Sequence, residues 1–171
     1  TFDDYLRVLK VFTGITGRED LYQQNGADVQ ARVEAAIARK EGREAPTVLF
    51  LRAYSTGVRA KGSDNMTGEM LKDLGCINIA DSEDSLLEDL SLEVILEQDP
   101  DFIFVTTMGA SEEAAMASLD ELLLSNPAWA SLTAVQEGHF HLLPKDLFHL
   151  KPNARWGESY EILADYLYGE A

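Results

Sequence analysis

The chain is short of basic residues, of cysteine and of long apolar runs. It carries 30 Asp and Glu against 14 Lys and Arg, a formal net charge of −16 over 171 residues. With no basic stripe to neutralise phosphates, the composition argues against nucleic-acid binding, and equally against attachment to an anionic membrane surface. The acid is spread along the chain, with one cluster at Asp81–Asp89, and reads as a solubility feature. The single cysteine, Cys76, rules out an internal disulfide. It stands among Leu74, Gly75 and Ile77 without a His or basic neighbour, which reads as a small buried hydrophobe. No stretch approaches the roughly 18 consecutive apolar residues a bilayer span needs, and no signal peptide is visible. Nucleotide-binding G-x-G-x-x-G and G-x-x-x-x-G-K motifs and the G-x-S-x-G nucleophile elbow are missing. There is no internal repeat and no low-complexity segment.

What is present is an alternation of two periodicities. Thr1 as N-cap, Asp3 and Asp4 in the first turn, and Phe2, Leu6 and Leu9 at helical spacing predict a helix over about 2–13. A second helix is predicted over about 19–41, with Val29, Val33, Ala36 and Ile37 on one face. Thr47–Leu51 reads as a strand buried on both faces, followed by a long polar loop over 52–65. Further helices are predicted at 66–74, after Ser91, from Ser111 to about Leu124, and over 153–168. Further strands are predicted at 77–80, 102–105 and 139–143, with Asp81–Asp89 as an acidic loop. Strands alternating with helices imply an α/β fold, a Rossmann-like three-layer arrangement with a short, mostly parallel sheet between helices.

Ligands of open parallel sheets meet the loops at the carboxyl ends of the strands. Three such loops stand out: the stretch after the first strand with Tyr54, Arg59 and Lys61; the loop Thr106–Ala110 with Met108; and the segment after the last strand with Lys145, Phe148 and His149. Their cations, aromatics and hydroxyls suit a large ligand that is partly anionic and partly aromatic. The competing view is that these are ordinary solvated loops. His139 and His141 alternate along a strand and share a face, with His149 eight residues on, so a transition-metal site is a further alternative. Trp156 heads the apolar stripe of the last helix and reads as core.

Leu90–Val105, with Ser91-Leu92-Glu93, then Asp99-Pro100-Asp101, then an apolar strand, resembles a signature of one family. These are the solute-binding proteins of iron-siderophore, haem and cobalamin ABC importers, whose two lobes are joined by a single long helix. Thr1–Arg18 is similar to that inter-lobe helix. Met70–Ala80 and the run Asn126-Pro127-Ala128-Trp129 through Gly138 are similar to later segments, in order. The resemblance implies an inter-lobe helix at 1–18 and a carboxy-terminal α/β lobe at 19–171, part of a longer chain trimmed to one lobe.

What the resemblance implies about function is capture of a metal chelate and its delivery to a permease, without catalysis and without a resident cofactor. The ligand would be a ferric siderophore, met by Arg59, Lys61 and Lys145. Haem would instead use Tyr54 or His149 axially, and a corrinoid would pack on Tyr54, Phe148 and Trp156. Glu93 would dock on permease arginines. Such a protein would act outside the cytoplasm, in the periplasm or on a lipid anchor outside this chain. Two rivals remain: a metal-dependent enzyme or metallochaperone built on His139, His141 and His149, and a regulatory or interaction domain with no small ligand.

Overall fold

A computed structural model describes residues 1–88 and 90–169. Helix α1 spans Phe2–Thr16 and is held at its start by a reciprocal capping box. The Thr1 hydroxyl accepts from the Asp4 N–H, and the Asp4 carboxylate reaches back to the Thr1 amine. Gly17, with φ 67°, closes it in the left-handed conformation that glycine adopts without strain. The single helix expected over 19–41 is divided. Helix α2 (Glu19–Tyr22) passes through a π turn at Gln23–Ala27 into α3 (Asp28–Ala38). The turn fits Gly26 under α1, where an added Cβ would meet Tyr22 and Leu9 at 3.1–3.3 Å.

Strand β1 (Thr47–Tyr54) outruns its predicted end and turns directly into β2 (Gly57–Ala60). The stretch read as a polar loop is therefore an antiparallel hairpin, with Tyr54 opposite Gly57 and Leu51 opposite Ala60. Helix α4 (Met66–Asp73) is capped by Asn65 and approaches the chain ahead of it so closely that a Cβ on Gly68 would fall 2.1 Å from the Gly62 carbonyl. Strand β3 is only Ile77–Asn78, and a 3-10 turn follows. The expected acidic loop contains helix α5 (Asp84–Glu88), while Asp89 lies outside the described residues.

Helix α6 (Leu92–Gln98) is capped by Ser91 and ends on Asp99, whose φ of 39° is one of two left-handed non-glycine positions among the described residues. Strand β4 (Phe102–Thr107) follows, buried at every position. Helix α7 (Glu112–Leu119) continues through a π turn, and α8 (Thr133–Gln136) leads to β5 (Phe140–Leu142). Helix α9 (Lys145–Phe148) and α10 (Trp156–Tyr168) complete the chain.

Strands β1, β4 and β5 run parallel in that order. Because β4 occupies one edge of β1, β2 and β3 share the other, end to end. Side chains alternate across the sheet. Val48, Phe50, Phe102 and Phe104 pack under α3, α4 and α10 with Met70, Phe148 and Tyr160. Leu49, Leu51, Ile103 and Val105 pack on the other face with Ile95, Leu119 and Trp129. Two sandwiched apolar layers make the three-layer α/β architecture expected. Each fully buried Phe or Leu contributes about 1.5–3 kcal/mol.

The Asp-Pro-Asp signature is the clamp at the amino end of this sheet. Asp99 accepts from the Thr133 N–H at 2.8 Å and its hydroxyl at 2.6 Å, fixing the start of α8. Asp101 accepts from the N–H and the hydroxyl of Thr47, both at 2.7 Å, which sets the register of β1 against β4. Pro100 is buried between them.

Candidate functional site

The carboxyl ends of β1, β4 and β5 form one edge. The Met108 N–H donates to the Ala53 carbonyl at 2.8 Å, and the Leu143 N–H to the Val105 carbonyl at 2.8 Å, so the loops leave the sheet from fixed positions. The Lys145 ammonium donates to the Gly109 carbonyl and joins the loop after β4 to the one after β5. The Thr67 hydroxyl donates to the Phe148 carbonyl at 2.6 Å, tying α9 to α4.

Three buried polar atoms at this edge have no partner among the described residues: Arg52 Nε, Thr106 Oγ1 and His149 Nδ1. Arg52 and Thr106 are register partners on adjacent strands. Both lie on the Phe50–Phe104 face, where the Arg52 guanidinium stands 6.0 Å from the Phe50 ring. His149 belongs to the same cluster. Burial first, and then the charges of Arg52 and Lys145, hold its imidazole below the usual histidine value. Buried polar groups are nearly always hydrogen-bonded, and these three, with His141 Nε2, are exceptions among the described residues.

Two carboxylates, Glu112 and Asp146, line this edge beside Lys145, and neither pairs with it among the described residues. Asp146 follows Lys145 in sequence but is bound by Arg155 at 2.5 Å, and Arg155 also holds Glu158. Arg52, Arg59, Lys145 and His149 take part in no ion pair among the described residues. Apolar side chains stand exposed around the cations: Met108 at 38%, Leu142 at 40% and Leu150 at 53%. A hollow of about 550 Å³ lies between Glu112, Leu142, Lys145, Asp146 and Leu150. A second, of about 270 Å³, lies beside the hairpin against Tyr54, Arg59, Leu90 and Leu122.

The residues named from sequence divide into those at this edge and those away from it. Tyr54 is half-buried at the hairpin tip, Met108 and Lys145 lie on the edge, and His149 lies within the orphaned cluster. Arg59 is exposed on β2, donates to the Glu88 carbonyl at 2.9 Å and lines the smaller hollow. Lys61 does not reach the edge. The antiparallel return of β2 carries it back down the sheet, where its N–H donates to the Phe50 carbonyl. Phe148 is no ligand contact either: it is fully buried among Phe50, Phe104 and Met70. Trp156 packs in the core against Phe2 and Tyr160 as read.

The three histidines do not converge. His139 sits at the amino end of β5, stacked on Phe102 at 4.3 Å with Nδ1 3.1 Å from the Asp101 carbonyl. His141 is stacked on Tyr166 at 3.9 Å, and His149 lies at the opposite end of the sheet. No group of three metal-ligating side chains is formed among the described residues. Cys76 is half-buried against the core where full burial was expected, and that burial pushes its thiol up to about 12. Sequence reading placed Arg52 and Thr106 within the candidate loops without singling them out as contacts, and it did not name Leu142 or Leu150.

Away from this edge, Glu93 is exposed in the first turn of α6, where the Ser91 hydroxyl accepts from the Val94 N–H at 3.4 Å.

Comparison with known proteins bears on the whole chain. No curated protein matches the sequence. Among solved structures, the haem complex of IsdE from S. aureus superposes with a TM-score of 0.78 at 18% identity, covering 98% of this chain and 65% of that one. A periplasmic heme binding protein from Pseudomonas aeruginosa gives 0.74 at 23%, covering 100% and 61%. FeuA from Bacillus subtilis, a triscatecholate siderophore binding protein solved with ferri-bacillibactin, gives 0.71 at 21%, covering 99% and 61%. The chain thus spans about half to two thirds of the length of the solved structures it matches. The family model described as periplasmic binding protein matches residues 1–147. With that match over most of its length, and with the two-faced sheet and the Asp-Pro-Asp clamp, this chain belongs to the periplasmic binding protein family.

Proposed function

We propose that this chain is the carboxy-terminal lobe of an extracytoplasmic solute-binding protein that captures an anionic metal chelate for an ABC importer. The observation that carries the reading is the orphaned trio of Arg52, Thr106 and His149, set among Lys145 and exposed Met108, Leu142 and Leu150. A chelate with carboxylate or catecholate oxygens and an aromatic body satisfies both halves of that surface. Proteins of similar fold bind haem and a triscatecholate siderophore. A ferric siderophore is favoured over a corrinoid, because two of the three aromatics a corrinoid would use, Phe148 and Trp156, are core residues. Haem is the second reading, supported by the unpartnered ring nitrogen of His149 at the edge.

Helix α1 supports a two-lobed whole. Val8, Val11, Phe12 and Ile15 recur at helical spacing and are each more than half exposed, from 53% to 78%. Such a stripe in water calls for a covering surface, which we assign to an amino-terminal lobe. A ligand held by one lobe alone keeps much of its surface in water, whereas good sites bury most of it. Titration with a ferric tris-catecholate should therefore give weak binding to this chain alone and tight binding once the other lobe is present. Equal affinity in the two would refute the cleft.

Glu93 is assigned to docking on the permease. It is held outward on a rigid helix start while Ile95 packs inward, the presentation a fork-shaped arginine partner needs. Glu93→Ala is expected to leave ligand affinity and melting temperature nearly unchanged while impairing transport. Normal transport by that variant would remove the assignment.

A further inference from the structure

Arg155 is fixed through its backbone before its side chain makes any contact. Pro152 and Trp156 on either side of it are buried. The buried Ser159 hydroxyl reaches the Arg155 carbonyl at 3.3 Å and the Leu147 carbonyl at 3.4 Å, which joins this turn to α9. From there the guanidinium donates to Glu158 through Nε and Nη2, both at 2.7 Å, and to Asp146 through Nη1 at 2.5 Å. A planar fork holds carboxylates in fixed directions. Asp146 is the acid whose direction matters, because it lines the same hollow as Lys145 and Glu112. Lys145 enters no ion pair among the described residues and donates to the Gly109 carbonyl instead. Glu112 is exposed in the first turn of α7, where the helix N-terminus favours its charge. With Arg155 in place the hollow therefore sets one cation against one free acid. With Asp146 released it would set one cation against two, and the Lys145 ammonium would have a carboxylate to pair with in place of a neutral carbonyl.

We propose that Arg155 is a positioning residue for this edge: by holding Asp146 it keeps Lys145 on the Gly109 carbonyl, and so sets the gap between the loops after β4 and β5 and keeps their hollow from turning acidic. Its effect on a ligand rests on the reading of this edge as the anion-contacting surface, whereas the Lys145–Gly109 bridge can be followed without any ligand. Arg155 itself touches no ligand and acts through Asp146. Its loss frees one negative charge beside the site. At contact distance in water a unit charge changes the affinity for an anion about fivefold.

The test compares the parent chain with Arg155→Gln, Asp146→Asn and the double variant. The side chains of Arg155, Asp146 and Glu158 are all exposed, and surface pairs add little to stability, so each variant is expected to fold. By NMR, the carbon shift of the Gly109 carbonyl, read through the Ala110 amide, reports whether Lys145 is bonded to it. Titration with 2,3-dihydroxybenzoate to millimolar concentration at neutral pH, followed at the Thr106 and Met108 amides, reports anion affinity. Arg155→Gln should move the Gly109 carbonyl shift and weaken the probe about fivefold. Asp146→Asn alone should leave both near the parent values, since Glu158 still holds the guanidinium. The double variant should return both to the parent values, because the acid that Arg155 restrains is gone. A double variant that behaves like Arg155→Gln would overturn the proposal, and so would an unmoved Gly109 carbonyl in Arg155→Gln. If the carbonyl follows this cycle while the amides of the parent ignore the probe, the positioning role stands and the anion reading of the edge falls.

Discussion

Arg52→Met should make the protein more stable and a poorer ligand binder. Methionine keeps a flexible stem of similar course and removes the guanidinium, whose Nε is buried without a partner. An unsatisfied buried polar group costs about 1–3 kcal/mol. Against that stands the cation–π contact with Phe50, at 6.0 Å, which contributes about 0.5–1 kcal/mol where exposed. The balance is a gain of roughly 0–2.5 kcal/mol, or a rise in Tm of up to about 10 °C at about 2–4 °C per kcal/mol for a chain of this size. On the binding side, the lost charge-assisted hydrogen bond is worth about 1.5–3 kcal/mol, so affinity for an anionic chelate should drop roughly 10- to 150-fold. Thermal unfolding of this chain without ligand and titration of the two-lobed protein measure the two arms separately. A lower Tm would mean that Arg52 is structural. Unchanged affinity would mean that the ligand lies elsewhere, and either result refutes the reasoning.

Two further outcomes follow from the packing. Gly68→Ala puts a Cβ 2.1 Å from the Gly62 carbonyl; since backbone must shift, urea denaturation should show a loss at or above the usual 1–3 kcal/mol of overpacking, and a loss under about 0.5 kcal/mol would show that the turn yields freely. His141 is held below the usual histidine value by burial first and by His139 second, so the unfolded chain binds more protons and stability falls as pH drops through about 6.5. His141→Phe preserves the stack on Tyr166 and should flatten the Tm profile between pH 5 and 7, leaving a residual slope from His149; a slope as steep as the parent's would place the acid sensitivity elsewhere.

The architecture was readable because several signals were local and redundant. Thr1 with Asp4 announces a capped helix, Ser91 and Ser111 cap two more, and the apolar run of β4 has no alternative within five or six residues. The hairpin was missed for a physical reason. Ser55-Thr56 is not among the two-residue turns that favour a hairpin, and the charges of Arg52 and Arg59 hid a period-two pattern in Leu51, Ala53, Val58 and Ala60. The misplacement of Lys61 follows directly, because a hairpin returns the chain down the sheet where a loop would have left it at the edge. Phe148 failed differently. Helix α9 is four residues long, too short for periodicity to say that Leu147 and Phe148 both turn inward.

The site itself is legible only in part, because what defines it is a relation between residues far apart in sequence. Lys145 and His149 could be named from their position after a strand. Arg52 joins the candidate site only when β1 and β4 pair in the register that Asp101 and Thr47 enforce, which makes it the register partner of Thr106. The cationic character of the edge is likewise non-local. A chain of net charge −16 would be expected to neutralise a few cations wherever they occur, and Asp146 stands next to Lys145. Arg155, on the turn before α10, removes that carboxylate by pairing with it and with Glu158. The same pairing leaves Lys145 to bridge to the Gly109 carbonyl and so to hold the loops after β4 and β5 together. Arg155 thus acts on this edge from a distance, by keeping Asp146 occupied.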